Sequence, residues 1–211
     1  QQIQSLKEFG VTTLAELAAL DELPKPSAGT LAALQRTWDQ ARAQWQGREQ
    51  GEPYFELKQP YDEEHGFALL PESTADDIFL DFEGSHFADG GVQEYLTGYV
   101  TKNKDGTFQY TSLWATTLEQ EQQAFEQFID FAIETRQKNP GAHIYHFAAY
   151  ETVALKRLMG RFACKDTELD TLLRSGAFVD LLSVTKRSLI AGVESYSIKN
   201  LEPFFGYQRQ Q

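Results

Sequence analysis

The chain has 211 residues, 41% hydrophobic and 13% aromatic, enough for a proper core and against a disordered polymer. Its formal net charge of −12 speaks against broad, phosphate-driven nucleic-acid binding. The single cysteine, Cys164, excludes an internal disulfide, and nothing resembles a signal peptide or a bilayer-spanning run, so a soluble, cytoplasmic protein is expected.

Residues 1–47 read as helical. Ile3 to Phe9 forms a short helix stopped at Gly10, a natural left-handed terminator. Thr13 and Glu16 make a capping box opening a second helix, Leu14 to Leu20. Pro24-Lys25-Pro26 breaks the chain. Thr30 to Trp45 follows as a longer helix, with Leu31, Leu34, Trp38, Ala41 and Trp45 at helical spacing and Gly47 as its end. Trp38 and Trp45 are packing residues on this reading. The Phe9-Gly10-Val11 turn resembles half of a helix-hairpin-helix, whose backbone N–H groups can meet a DNA phosphate. No second hairpin glycine or basic excess accompanies it, and a plain helical spacer is the simpler reading. Residues 48–74 are linker-like, with Gly51, Pro53, Pro60, Gly66 and Pro71. Two short apolar pieces, Tyr54–Leu57 and Phe67–Leu70, are expected to cover an edge of the next domain.

From residue 75 to 211 the pattern changes. Ile78–Phe82 is a first strand, and Glu94–Thr101 with Phe108–Ala115 forms a hairpin around Asn103-Lys104-Asp105-Gly106, whose Asp-Gly is a strong turn signal. Leu118–Gln137 is a long amphipathic helix, ended by Asn139-Pro140-Gly141. His143–Phe147 is a fourth strand, Tyr150–Met159 and Thr167–Arg174 are helices, and Phe178–Leu181 is a fifth strand. Two helical pieces, Leu182–Ile190 and Ile198–Phe204, complete the chain. The order β-β-β-α-β-α-β-α predicts an α/β fold: a mixed sheet of about five strands, an antiparallel meander extended by parallel strands with helical crossovers.

Chemistry enters at Asp81-Phe82-Glu83. Side chains alternate along a strand, so the two carboxylates share a face, about 7 Å apart over two strand rises. Like charges held so close are unfavourable without a compensating partner, and the spacing suits a grip on hard divalent cations. The plain alternative is a strand running into an acidic, solvated turn. Glu151 falls in the first turn of the helix after the fourth strand, where the helix dipole alone favours a carboxylate. With Asp81 and Glu83 in the same βα layout, a shared acidic site becomes the better reading.

Phe79-Leu80-Asp81-Phe82-Glu83-Gly84, Tyr145-His146-Phe147-Ala148-Ala149-Tyr150-Glu151, Phe178-Val179-Asp180-Leu181 and Ser195-Tyr196-Ser197-Ile198-Lys199-Asn200-Leu201-Glu202 follow in order. In this they resemble the motifs of the YprB-type ribonuclease-H-like domain of RecB-like nuclease proteins, within the DEDD exonuclease superfamily. The resemblance covers residues 75–211, and the helical segment before it also resembles what precedes this domain in those proteins.

The resemblance implies a 3′-to-5′ exonuclease using two Mg²⁺ or Mn²⁺ ions for phosphodiester hydrolysis of DNA or RNA, within a larger protein carrying nuclease or helicase domains. Asp81, Glu83 and Glu151 would be its metal ligands, Glu151 standing where most of the superfamily carries Asp. Asp180 matches a recurring position and is read as supporting the ligands or as structural, with direct metal binding as the alternative. Outside the core set, His86 is a candidate to assist water or phosphate, His146 a hydrogen-bonded strand-end residue, and Lys199, with Lys186 and Arg187, a candidate phosphate contact; the plain reading of all three cations is solvated helix faces.

The family's last acidic residue lies on a helix beyond the Ser-Ile-Lys-x-Leu stretch. This sequence starts without methionine and stops before such a helix, so both ends are expected to be cuts in a longer chain, and weak activity is expected of this piece. The reading from a different class is a non-catalytic nucleic-acid-binding or interaction module on the same fold.

Overall fold

The computed structural model describes residues 2–59, 66–88, 91–207 and 209, without the side chains of 86–88. The chain forms two compact units, residues 1–68 with 185–211 and residues 69–184. These boundaries are drawn by packing, and they place the C-terminal stretch with the N-terminal helices.

In the first unit, α1 (Gln2–Glu8), α2 (Leu14–Ala18) and α3 (Leu31–Gln50) enclose a small core of Leu6, Val11, Leu17, Leu34 and Ala41, with Trp38 packed against it. The Thr13–Glu16 capping box is formed. Helix α3 runs through Gly47 and ends at Gly51, whose φ of 70° makes it the left-handed cap. The first of the two pieces expected to cover a neighbouring edge holds a strand: β1 (Phe55–Leu57) pairs antiparallel with Leu189–Ala191, where the sequence pattern predicts the end of a helix.

The second unit carries the expected sheet. Its strands are β2 (Ile78–Ala88), β3 (Gly91–Lys102), β4 (Phe108–Trp114), β5 (Ile144–His146) and β6 (Phe178–Asp180), in the order β4-β3-β2-β5-β6. The β2–β3 and β3–β4 pairs are antiparallel, and β2–β5 and β5–β6 are parallel. Helices α4 (Leu118–Lys138), α5 (Tyr150–Phe162) and α6 (Asp166–Arg174) connect the later strands.

Alternation along β2 decides which face they cover. Ile78, Leu80 and Phe82 are buried among Phe125, Phe128, Ile129, Leu155, Leu158, Leu169 and Leu172 of these helices. The odd positions, Phe79, Asp81 and Glu83, are turned to the other face and exposed. There Tyr145 and Val179 pack with Val184, Leu69 and Leu181.

Helix α7 (Leu181–Ser188) begins in the second unit and ends in the first, where β7 (Leu189–Ala191) is the partner of β1. Leu189 and Ala191 are buried, and burial with pairing overrides the helical pattern there. A short α8 (Ile198–Leu201) runs into a 3₁₀ turn. Among the described residues no helix is long and apolar enough to cross a membrane.

Candidate active site

Strands β2 and β5 are paired only at Ile78–Ile144 and Phe79–Tyr145. From Leu80 onward β2 keeps β3 as a partner but parts from β5. A crevice at the carboxyl ends of parallel strands is where open α/β sheets bind ligands. Asp81 and Glu83 stand on this free stretch, in register with Gly98 and Leu96 of β3. Across the crevice, Ala148 turns the chain with φ of 75°, and α5 starts directly after Ala149.

Glu151, in the first turn of α5, is buried at 3% exposure. No side chain caps this helix, and Glu151 is the acidic residue of its first turn, where the helix dipole favours a carboxylate. Its Oε2 is buried without a hydrogen-bond partner. His146 Nδ1 lies 3.5 Å away, but it also lies 2.5 Å from the carbonyl oxygen of Ala148. A carbonyl can only accept, so Nδ1 carries a proton and spends it on Ala148. The histidine thereby holds the turn.

Asp81 feels both other carboxylates. Partial burial in the crevice, then repulsion from Glu151, then from Glu83, push its carboxyl above the ordinary value, against a smaller opposing effect of the Phe82 N–H. Three carboxylates are hard oxygen donors suited to Mg²⁺ or Mn²⁺. The orphaned Glu151 oxygen and the mutual repulsion fit such an ion. The side chains are nonetheless not closed upon one point: among the described residues no group of three His, Cys, Asp or Glu is arranged to hold a metal.

Asp180 has other work. Its Oδ1 accepts from the N–H groups of Ala148 at 2.9 Å, Leu182 at 2.9 Å and Ser183 at 3.3 Å. It therefore caps α7 and ties down the turn before Glu151. Asp180→Ala would orphan these donors, with an expected loss of about 1–3 kcal/mol in denaturant unfolding. Asp180→Asn, which keeps an accepting oxygen, should recover most of it. Lys199 lies in α8 of the first unit and is exposed. His86 belongs to β2, and its side chain lies outside the described residues.

Sequence reasoning missed what fixes α5 in place. Glu94 of β3 is buried, and its carboxylate accepts from the Tyr150 hydroxyl at 2.9 and 3.1 Å and from the Arg157 guanidinium. Glu121 of α4, also buried, accepts from the Glu94 N–H at 2.7 Å and from Arg161 Nη1 at 3.0 Å. Arg161 Nη2 donates onward to the Val92 carbonyl at 2.8 Å.

Tyr150, Arg157 and Arg161 share one face of α5, so the helix carrying Glu151 is pinned to β3 by the Arg157–Glu94 pair and to α4 by the Arg161–Glu121 pair. Gly84 is part of the fit: a Cβ there would stand 2.5 Å from Glu94 Oε2 and 2.5 Å from the Tyr150 hydroxyl. One signal was legible, since Glu121 lies on the apolar stripe of α4 with Ala124, Phe125 and Phe128.

Compared with known proteins, residues 78–211 match the RNase_H_2 family model, of the RNase_H superfamily. No curated protein and no solved structure matches the chain. The matched span begins at the first residue of β2 and takes in every strand of the five-stranded sheet.

Proposed function

The chain belongs to the RNase H superfamily, and from that premise we propose that it is the divalent-metal-dependent nuclease domain of a nucleic-acid-processing protein, a 3′-to-5′ exonuclease of the YprB-type, RecB-like group. RNase H-like domains bind nucleic acid and generally use divalent metals. The observation that carries the reading is Asp81 and Glu83, paired on the stretch of β2 beyond its pairing with β5, with Glu151, one oxygen of which is buried without a partner, close enough to perturb Asp81.

On this reading Asp81, Glu83 and Glu151 hold the metal, which when bound supplies Lewis-acid activation of water and neutralises charge on the phosphate. Asp81 and Glu83 would hold the ion from β2, where β3 fixes their backbone. Glu151 would hold it from α5, its main chain set by the clamp of Glu94 with Tyr150 and Arg157. His146 and Asp180 hold the turn through Ala148, so they position Glu151 and stand outside the ligand set. Contacts to phosphate away from the carboxylates are expected from local cations in an acidic chain.

The test is degradation of 5′-labelled single-stranded DNA and RNA with Mn²⁺ or Mg²⁺ against EDTA. Products shortening one nucleotide at a time in the metal alone support the reading. The second reading, a non-catalytic nucleic-acid-binding module on the same fold, is favoured by one observation, the absence among the described residues of a closed ligand group. It expects strand binding with no shortening and no Mn²⁺ uptake by electron paramagnetic resonance.

A further inference from the structure

The sheet face that carries Asp81 and Glu83 continues across β3 and β4. Register sets its rows: Asp81 beside Gly98 and Ser112, Glu83 beside Leu96 and Trp114, and Phe79 beside Val100 and Tyr110. Phe108 follows, beside Lys102. Paired residues of an antiparallel ladder point to the same side. The rings on this face are uncovered, with Phe108 67% exposed, Trp114 64%, Tyr110 55% and Phe79 42%.

Large aromatic side chains left in water along one strand are costly, and together they mark a surface built to meet a partner. Phe79 stacks on Tyr145, with ring centroids 5.3 Å apart, and two of the rings on β4 are also held in place. Trp114 stacks on Tyr95 with ring centroids 6.3 Å apart and planes 24° off parallel. Tyr110 lies over Gly98: a Cβ on that glycine would come within 2.6 Å of the phenol oxygen and 3.1–3.2 Å of two ring carbons. The glycine lets the ring lie down over the row that ends at Asp81.

We propose that this β3–β4 face is a stacking platform for the bases of a single-stranded nucleic acid, Trp114, Tyr110 and Phe108 each receiving a base as the strand leads to Asp81 and Glu83. This rests on the nuclease reading for the place of the scissile phosphate, but not for the stacking itself. Three features favour that occupant. The platform is continuous by register with the carboxylate pair. Phe108 and Tyr110 are two strand rises apart, about 7 Å, the reach of one extended nucleotide.

The third is charge: Lys102, on the same row as Phe108, and Lys104 in the adjoining turn put the cations at the far end of the track, away from the acidic site. Aromatic stacking is indifferent to base identity, which suits an enzyme that must pass any sequence.

The experiment is equilibrium binding of fluorescein-labelled oligo(dT), about ten nucleotides long, to the protein in EDTA, beside an abasic oligomer of the same length. Trp114→Ala and Tyr110→Ala should each weaken oligo(dT) about tenfold, the ordinary worth of one base–aromatic stack, and leave the abasic strand unchanged. Trp114→Phe should retain most of the affinity, and circular-dichroism melts check that each variant folds. Gly98→Ala should behave like Tyr110→Ala, because it displaces that ring.

Equal affinities for wild type and ring variants, or for dT and abasic strands, would overturn the proposal. So would light scattering that shows a dimer dispersed by the Trp114 and Tyr110 variants, because a second copy would then cover the face. Degradation of strands without any effect of the rings removes the platform and leaves the nuclease reading. Stacking without degradation keeps the platform and removes the nuclease.

Discussion

Asp81→Asn is expected to abolish metal-dependent strand degradation and at the same time to raise the melting temperature of the metal-free protein. The activity loss should be roughly 10³-fold or more, since a metal's charge stabilisation is worth several kcal/mol and each 1.36 kcal/mol is a factor of ten. The stability gain follows from the cost of holding the Asp81 charge partly buried beside two other carboxylates. The Asp81 carboxyl sits above its ordinary value because the crevice dehydrates it and Glu151 and Glu83 oppose its charge.

A carboxyl shifted upward on folding opposes folding once ionised. The penalty is absent below the unfolded value, grows as pH rises through the folded value, and is complete above it. In EDTA at neutral pH the amide variant should therefore melt higher than wild type, and the gap should close as pH falls into the carboxylate range. Mn²⁺ should raise the wild-type melting temperature and have little effect on the variant. Unchanged degradation by Asp81→Asn would remove Asp81 from the site; a melting temperature unchanged at neutral pH would show that the Asp81 charge does not oppose folding.

What the sequence could reveal divides along local and non-local physics. Strand alternation is local, so the shared face of Asp81 and Glu83 followed from spacing two residues apart. The place of Glu151 followed from the strand-to-helix change around Ala148. The sheet itself was legible because apolar period changes from two to 3.6 at the right places, with Asp105-Gly106 marking the hairpin. The Leu189–Ala191 strand was not, because three residues carry no period and it exists through pairing with β1, more than 130 positions earlier in the chain. The end of α3 was misread for a different reason: Gly47 is tolerated within a helix that packing supports, and the left-handed cap is four residues on. Glu94 and Arg157 have nothing in their own neighbourhoods that names the other, since a buried ion pair is visible only once two elements are packed.

That pair carries the largest expected effect on stability. Arg157→Ala should lower unfolding free energy by about 3–5 kcal/mol, because it leaves the charge of Glu94, with a side chain 1% exposed, unpaired in the interior. Tyr150 alone cannot neutralise it. The arginine's value as a partner is smaller than this loss, since both groups gave up water to meet. The double variant Glu94→Leu with Arg157→Met replaces charge by apolar volume and should recover most of the stability, the strongly non-additive outcome that a shared buried pair requires.

Activity separates stability from positioning. Helix α5 brings Glu151 to the crevice, and Arg157 with Tyr150 fixes that helix on β3 through one carboxylate. If the clamp positions Glu151, the double variant should remain slow, with its loss in kcat and its Mn²⁺ requirement shifted to higher concentration while it melts near wild type. If packing alone sets the helix, recovery of stability should bring full recovery of rate and of Mn²⁺ response. Urea titration of the four corners of the cycle, read beside Mn²⁺ titration of activity, distinguishes the two.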